Sequence, residues 1–115
     1  MTLGEKQRLF TRLVARLIDF AYANGYELTF GDAYRSPEEA ARNARSGTGI
    51  ANSLHTQRLA VDLNLFRDGA YLTDSEAYRP LGEFWKTLDP ACCWGGDFQS
   101  RPDGNHFSIT HNGIK

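Results

Sequence analysis

Apolar residues recur at three- and four-residue intervals along the first part of the chain, the spacing of one face of a helix. They are Phe10, Leu13, Val14, Leu17, Ile18 and Ala21. Thr2 and Glu5 fit a capping box ahead of this face, and Asn24-Gly25 supplies a stop signal after it. The pattern predicts a long amphipathic helix whose role is to support the fold.

Two later segments carry the start signals of helices. Ser36 as N-cap, Pro37 at the first helical position and Glu39 three residues after the cap predict a second helix. Thr73 and Glu76 suggest another capping box, ahead of a third helix that ends near an Asp-Pro pair. The apolar face of the third helix comprises Leu81, Phe84, Trp85 and Leu88.

Segments that alternate apolar with polar residues, or that run almost continuously apolar, predict a set of short strands. An Arg-Asp-Gly turn at 67–69 predicts a hairpin between the second and third of them. A loop is predicted at 47–52, ahead of this hairpin. The predicted strands are 26–30, 60–66, 70–72 and 106–110.

The length and composition fit one compact domain over residues 1–115. At 12.9 kDa and with 41% apolar residues, the chain can bury a core without disulfide or metal staples. Thirteen Lys and Arg residues against fourteen Asp and Glu leave a net charge of -1 with no basic tract. This balance disfavours nucleic acid as a partner.

The chain also lacks the patterns of membrane and export segments. No apolar run approaches the roughly 18 residues of a membrane helix, and the first residues lack the cationic start and apolar core of a signal peptide. We therefore expect a monomeric protein that is made in the cytoplasm and has no membrane partner.

Cys92 and Cys93 are the two cysteines of the chain. Because they are adjacent, they cannot link distant segments by a disulfide bond. A thiol-ligated structural zinc site usually needs two separated ligand pairs, so we expect two half-buried thiols beside Trp94 instead.

Polar residues on two predicted strands could hold a metal ion. Strand alternation places Asp62 and His106 on the polar faces of their strands, and His55 lies in the segment before the first of these strands. Two imidazoles and one carboxylate suit a catalytic Zn²⁺, with the fourth position left for water. His55, Asp62 and His106 are therefore candidate ligands of one zinc ion, although a lone histidine is more often a surface or core residue than a ligand.

Two further residues fit roles in hydrolysis at such an ion. Asp103, three residues before His106, is a candidate general base, and Arg35 could stabilise an oxyanion. Taken singly, Asp103 could be an ordinary turn residue and Arg35 a surface salt-bridge partner. The third histidine, His111, is expected to be exposed to solvent and outside the site.

These residues together resemble a known family. Ser-x-His at 53–55 is followed by an Asp seven residues after the His, at the end of 59–62. Trp-Gly-Gly-Asp-Phe at 94–98 and Asp-x-x-His at 103–106 complete the pattern. It resembles zinc peptidases that include D-alanyl-D-alanine carboxypeptidases, dipeptidases and the L-alanyl-D-glutamate endopeptidases of phage endolysins. The resemblance spans residues 34–107.

The resemblance implies an α+β fold of the D-alanyl-D-alanine peptidase and hedgehog type, with helices packed on a small antiparallel sheet. It implies zinc ligands at His55, Asp62 and His106, and a catalytic carboxylate at Asp103. The implied substrates are peptide bonds in peptidoglycan stem peptides. Residues implied to contact substrate or order the site are Tyr34, Arg35 and Ser36, which form a Tyr-Arg-Ser element, together with Ser53 and Trp94.

The sequence departs from the family at Arg58, where a glycine usually follows the first histidine by three residues. We expect an ordinary backbone at Arg58. The alternatives are a strained backbone, or a side chain that binds an anionic carboxylate of the stem peptide.

The most specific expectation is an endolysin-type L-alanyl-D-glutamate endopeptidase that acts on the cell wall after release through a separate, holin-type pore. A D-alanyl-D-alanine carboxypeptidase or dipeptidase is the alternative with the same metal chemistry. A non-catalytic, zinc-stabilised module that binds the cell wall is an alternative of another class. A plain α+β domain with coincidental histidines would bind no metal.

Overall fold

The computed structural model describes residues 1–46 and 53–115, and the predicted loop at 47–52 lies outside the described residues. The α-helices in the described part are α1 (Leu3–Ala23), α2 (Pro37–Ser46) and α3 (Arg79–Leu88). The strands are β1 (Glu27–Phe30), β2 (Ala60–Arg67), β3 (Ala70–Leu72), β4 (Cys92–Trp94) and β5 (His106–Ile109).

The strands form one antiparallel sheet in the order β1-β2-β5-β4, with β3 also paired to β2. The long strand β2 pairs with β5 along its first half and with β1 along its second half. Helices α1 and α3 pack against each other and against this sheet. The expected α+β fold, with helices on a small antiparallel sheet, is confirmed.

Helix α1 begins and ends where the sequence predicts. The Thr2 hydroxyl accepts a hydrogen bond from the Glu5 amide, and the Glu5 carboxylate accepts one from the Thr2 amide. Asn24 forms the C-cap, and Gly25 follows with a φ of 83°, a conformation that glycine adopts without strain. The residues that α1 buries are Phe10, Leu13, Leu17 and Ala21.

Trp85 ties helix α3 to the sheet at the centre of the core. Its indole is fully buried and donates hydrogen bonds to the carbonyl oxygens of Cys93 and Ser108, at 3.0 and 3.1 Å. The ring of Phe10 from α1 meets the indole edge-on, with 5.8 Å between ring centroids. Because Trp and Phe bury large apolar areas, these contacts hold α1, α3 and the β4–β5 pair together.

The hairpin and the second helix confirm their predictions. Asp68 and Gly69 both have positive φ, 52° and 79°, as a two-residue turn between right-twisted strands requires. The Ser36 hydroxyl accepts a hydrogen bond from the Glu39 amide at the start of α2.

None of the helices in the described part of the chain combines the length and the apolar character that a membrane-spanning helix needs.

Several predicted boundaries are wrong. Asp74, not Thr73, caps the segment before α3, and it begins a short 3-10 turn, Ser75–Tyr78, that runs into the helix. Strand β4 has no counterpart in the prediction, because its three residues show no periodic pattern and, unlike β3, follow no hairpin turn. The alternation of apolar and polar residues along 26–30 predicts a half-buried strand with Phe30 on its apolar face, but Phe30 is 70% exposed.

The two thiols are free, as expected from their adjacency. Cys92 is buried rather than half-buried, and burial raises the pKa of its thiol to about 12. Cys93 is half-buried, and burial raises its pKa as well. Both side chains are therefore thiols rather than reactive thiolates at neutral pH.

The expectation of an ordinary backbone at Arg58 is wrong. Arg58 has φ 58° and ψ 35°, the left-handed region in which glycine is favoured. It ends a 3-10 turn, Leu54–Gln57, and turns the chain into β2. Its guanidinium lies over the ring of Tyr34, 4.0 Å from the centroid. This stacking contact is one of the interactions that hold the strained residue in place.

Replacement of Arg58 tests the strain. We expect Arg58→Gly to change the free energy of unfolding by less than about 1 kcal/mol, because relief of the left-handed backbone offsets the lost stacking and the added chain flexibility. Arg58→Val loses the same stacking but keeps a Cβ, so it should be about 1–2 kcal/mol less stable than Arg58→Gly. Urea unfolding measures both, and equal stabilities would contradict the assignment of strain.

Gly82 provides a second test, at the contact between α3 and Trp94. A Cβ at Gly82 would overlap the buried Trp94 indole, so Gly82→Ala should destabilise the fold by about 1–3 kcal/mol despite the higher helix propensity of alanine. Gly4→Ala in α1 is the matched control, because a Cβ there meets only a flexible arginine end at 3.4 Å. Urea unfolding should leave the control within about 1 kcal/mol of wild type.

Candidate metal and catalytic site

The antiparallel pairing of β2 with β5 brings two predicted ligands together. Asp62 and His106 are direct cross-strand partners, on the side of the sheet opposite the apolar neighbours Val61 and Phe107. Cross-strand partners have Cβ atoms only about 4.5–5.5 Å apart, so both side chains reach the same space.

A short 3-10 turn supplies the third predicted ligand. The Ser53 hydroxyl accepts a hydrogen bond from the His55 amide at 3.2 Å and begins the turn Leu54–Gln57. Leu54 is buried in the core and anchors the turn against it. The turn thereby directs His55, which is 3% exposed, toward the strand pair.

The three side chains converge on one point. His55 Nε2 lies 3.3 Å from Asp62 Oδ1, and His106 Nδ1 lies 3.5 Å from the same oxygen. One ligand atom from each of the three residues lies within 4.8 Å of the others. The described residues therefore contain a group of two imidazoles and one carboxylate that could hold a metal ion.

Unsatisfied polar atoms at this point fit a bound cation. Asp62 Oδ1 is buried and has no hydrogen-bond partner within the described part of the chain, although two imidazoles surround it. Burial alone would raise the pKa of Asp62, but the nearby His106 and His55 side chains outweigh it and lower the pKa to about 2. The carboxylate is thus ionised at neutral pH, as a metal ligand must be.

Asp103 is held beside the three side chains by its backbone. Its amide donates to the Gly95 carbonyl at 2.9 Å, and its carbonyl accepts from the His106 amide at 3.0 Å. A Cβ at Gly95 would overlap the Asp103 carbonyl, so the close approach requires glycine. Partial desolvation in the cleft raises the pKa of the Asp103 carboxyl, although the residue as a whole is exposed, and the negative charge of Asp62 adds to the increase. Such a carboxylate is a better proton acceptor than an ordinary aspartate.

Arg35 is tied to the site through its backbone and faces it with its side chain. Its amide donates to the His55 carbonyl at 3.2 Å. One end of its guanidinium donates to Asp32 at 2.7 Å. Its Nε is buried and has no hydrogen-bond partner in the described residues. The nearest carboxylate oxygen, from Glu39, lies 3.9 Å from Nε, so the N–H can still donate to an oxygen that comes closer in the site.

These side chains line an open cleft of about 390 Å³. The cleft brings Arg35, the three possible metal ligands and Asp103 into one cavity. Its lining residues are Arg35, Ser53, His55, Asp62, Phe98, Arg101, Pro102, Asp103, His106 and Lys115.

Comparison with known proteins identifies the family of this chain. The sequence profile of the family described as D-alanyl-D-alanine carboxypeptidase matches residues 46–109, more than half of the chain. The chain belongs to this peptidase family. The match includes all three residues that converge in the cleft and Asp103, and it confirms the resemblance and the expectation of an enzyme of the peptidase class. No curated protein matches the chain significantly.

Two solved structures share the fold of this family member. One is the Serratia marcescens L-Ala D-Glu endopeptidase ChiX, with a TM-score of 0.75 and 19% identity, over 93% of this chain and 85% of that one. The other is the vancomycin resistance D,D-pentapeptidase VanY from a VanB-type cassette, a mutant in complex with Zn(II). It has a TM-score of 0.58 and 21% identity, over 87% of this chain and 70% of that one.

Of the four residues predicted to contact substrate beside Arg35, Ser53 lines the cleft and the others do not. Tyr34 lies beneath Arg58 at a groove next to α1, and the Ser36 hydroxyl caps α2. Trp94 is 1% exposed, and its indole donates to the Gly104 carbonyl at 2.7 Å. The side chains of Tyr34, Ser36 and Trp94 thus have local structural roles, and their contact with substrate stays a prediction. Trp94 orders the loop that carries Asp103.

Sequence reasoning missed other residues that line the cleft of this family member. Phe98 lies at the end of the Trp-Gly-Gly-Asp-Phe motif, so the motif itself was a signal. Arg101 and Pro102 directly precede Asp103, and closeness to the candidate base could have identified them. Lys115 carries no local signal, and only the fold brings it to the cleft.

Zinc titration tests the site. We expect the purified chain to bind one Zn²⁺, and His106→Ala to weaken binding by more than about 100-fold, since even loss of a partner that orients a ligand costs about 10–100-fold. His111→Ala is the matched control. His111 is half-buried rather than exposed as predicted, and its Nδ1 lies 3.0 Å from Lys6 Nζ, outside the site.

Competition with a chromophoric chelator measures the dissociation constants of all three proteins. Wild type and His111→Ala should agree within experimental error. Equal weakening in both histidine variants, or none in either, would show that His106 is not a ligand.

Proposed function

We propose that the chain is a zinc metallopeptidase that hydrolyses peptidoglycan stem peptides, most specifically an endolysin-type L-alanyl-D-glutamate endopeptidase. The observation that carries the proposal is the convergence of His55, Asp62 and His106 in an open cleft that also holds Asp103. The chain's peptidase family supports hydrolysis of a peptide bond, and the specificity named for the Serratia marcescens neighbour supports this bond.

In the proposed mechanism, His55, Asp62 and His106 hold a single zinc ion. Asp62 contributes the negative charge and the histidines contribute neutral nitrogen donors, the ligand set of many catalytic zinc sites. When bound, zinc polarises a carbonyl group and lowers the pKa of water to about 7, which supplies a nucleophile at neutral pH.

Asp103 moves the proton in this mechanism. Its raised pKa suits a group that accepts a proton from the attacking water and then gives it to the nitrogen of the leaving amine. The hydrogen bonds of its backbone with Gly95 and His106 hold the residue next to the ligand set, within reach of a water molecule bound there.

Arg35 stabilises the oxyanion that develops on the scissile carbonyl. Asp32 holds one end of the guanidinium. Nε lies 3.9 Å from the Glu39 carboxylate and has no hydrogen-bond partner in the described residues, so its N–H can donate to that oxygen. Loss of one such donor typically costs about 2.7–4 kcal/mol of transition-state stabilisation.

A D-alanyl-D-alanine carboxypeptidase or dipeptidase is the second candidate. The description of the chain's own family and the D,D-pentapeptidase neighbour favour it. The same ligands, base and oxyanion donor would serve both reactions, so the two differ only in which residue of the stem peptide occupies the leaving side of the cleft.

A non-catalytic module that binds the cell wall is the candidate of another class. A structural zinc site has four protein ligands, whereas the described residues bring three into reach of one another. A binding module would also have no need of a carboxylate with a raised pKa beside the ion. Both observations favour catalysis.

The proposal includes the place of action and the partner. The enzyme works as a monomer whose catalytic domain comprises residues 1–115. Its partner is the peptidoglycan stem peptide rather than nucleic acid or a membrane, and it acts on the cell wall after release from the cytoplasm.

Digestion of purified sacculi tests the reaction. We expect the zinc-loaded enzyme to produce new L-Ala carboxyl ends and D-Glu amino ends, identified by end-group labelling and mass spectrometry. Release of terminal D-Ala in their place would support the carboxypeptidase. Asp103→Ala should keep zinc and lose about 10²–10⁴-fold in kcat, the usual contribution of a general base.

The matched control for Asp103→Ala is Asp97→Ala. Asp97 lies in the same loop region, but its carboxylate pairs with Lys86 at 2.7 Å and does not line the cleft. It should keep nearly full activity. An Asp103→Ala enzyme as active as this control would remove Asp103 from the mechanism.

A further inference from the structure

Arg101 places a positive charge in the cleft, and in the described part of the chain no carboxylate lies within ion-pair distance of it. It lines the cavity together with His55, Asp62 and Asp103, and it is exposed to solvent. Within residues 1–46 and 53–115 it has no ion-pair partner. Arg35, the other arginine of the cleft, is held by Asp32 at 2.7 Å. The guanidinium of Arg101 is therefore available to an anion that enters the cleft.

The backbone fixes Arg101 close to the candidate base. Pro102 locks its own φ and restricts the preceding residue to an extended conformation. Asp103 follows, held by hydrogen bonds to Gly95 and His106. The Cα atoms of Arg101 and Asp103 can be separated by only about 7 Å, since an extended chain advances at most about 3.3–3.6 Å per residue. An arginine side chain can cover that distance.

The candidate substrates share an anion at the corresponding position. The D-glutamate of a stem peptide continues the chain through its γ-carboxyl, so its α-carboxylate stays free. The terminal D-alanine of a longer stem also has a free α-carboxylate. In both cases the carbon bonded to the scissile nitrogen carries this carboxylate, which is therefore the charge nearest to the bond that breaks.

We propose that Arg101 binds the α-carboxylate of the residue on the leaving side of the scissile bond and thereby determines specificity. This inference rests on the proposed function of the cleft. The planar guanidinium can bind a carboxylate through two parallel hydrogen bonds, which fixes the orientation as well as the position of the leaving residue.

This assignment explains why the arginine and the base share one loop. Hydrolysis adds water to the carbonyl carbon, breaks the carbon–nitrogen bond and requires a proton on the leaving nitrogen. Asp103 delivers that proton, and Arg101 holds the carboxylate on the adjacent carbon of the same residue. Two residues separated by Pro102 thus hold the two polar groups of one leaving amino acid.

Amidated substrates test the proposal. The peptides are acetyl-L-Ala-γ-D-Glu-L-Lys and its analogue with the D-Glu α-carboxyl amidated, and acetyl-L-Lys-D-Ala-D-Ala and its C-terminal amide. We expect amidation to lower kcat/KM of the zinc-loaded wild type by about 10- to 100-fold, as for loss of a charge-assisted hydrogen bond. Arg101→Ala should lower kcat/KM for the acidic peptide by a similar factor relative to wild type. It should lower kcat/KM for the amidated peptide only slightly.

Two further variants serve as controls. One separates the charge of Arg101 from the planar shape of its guanidinium, and the other measures the effect of losing an arginine elsewhere on the surface. Arg101→Lys keeps the charge without the planar fork, so it should fall between wild type and Arg101→Ala. Arg12→Ala is the matched control, because Arg12 is an exposed arginine on α1 that does not line the cleft. It should retain the wild-type preference for the acidic peptide.

Binding gives a readout that does not depend on turnover. Calorimetric titration of the zinc-loaded Asp103→Ala protein should give a dissociation constant about 10-fold or more lower for the acidic peptide than for its amide. Adding Arg101→Ala should abolish the difference, with circular dichroism confirming that each variant is folded.

The outcomes separate the inference from the proposed function. If none of the four peptides is cleaved by zinc-loaded wild type, the proposed function fails, and the titration still decides the role of Arg101. If wild type and Arg101→Ala discriminate equally between the acidic and amidated forms, in turnover or in binding, the inference is overturned.

Discussion

The register between β2 and β5 is the constraint on which the site depends. It sets Asp62 opposite His106, and a slip of one residue would turn one of these side chains to the other face of the sheet. The neighbours Val61 and Phe107 are buried on the core side, so a slip would also expose apolar surface. The packing of the core thus determines that the side chains of Asp62 and His106 lie side by side. No further interaction is needed to bring these two ligands together.

Regular patterns explain what the sequence could predict. Alternation along two strands located Asp62 and His106, and capping residues located the starts of α1 and α2. Strand alternation and capping residues are both local signals. They can therefore be recognised in a sequence without knowledge of tertiary contacts. The positions of Asp62 and His106 were accessible from sequence for this reason, whereas His55 was located by the Ser-x-His motif ahead of the strand.

The predictions that failed concern caps, turns and loop residues, which no periodic sequence pattern marks. Thr73 and Asp74 are both good caps, and the backbone conformation decides between them. The left-handed conformation of Arg58 depends on the turn that precedes β2, which no propensity of arginine reveals. Lys115 is distant in sequence from the other cleft residues, and only the folded chain shows that it lines the same cavity.

Trp94 links the candidate base to the centre of the protein. Its buried indole lies against Gly82 of α3 and holds the Gly104 carbonyl, one residue after Asp103. The loop that carries the base is therefore part of the same cooperative unit as the core, rather than a locally unfolding segment. Heat inactivation should then coincide with loss of the whole tertiary structure, with no earlier stage at which the cleft fails while the rest of the chain stays native.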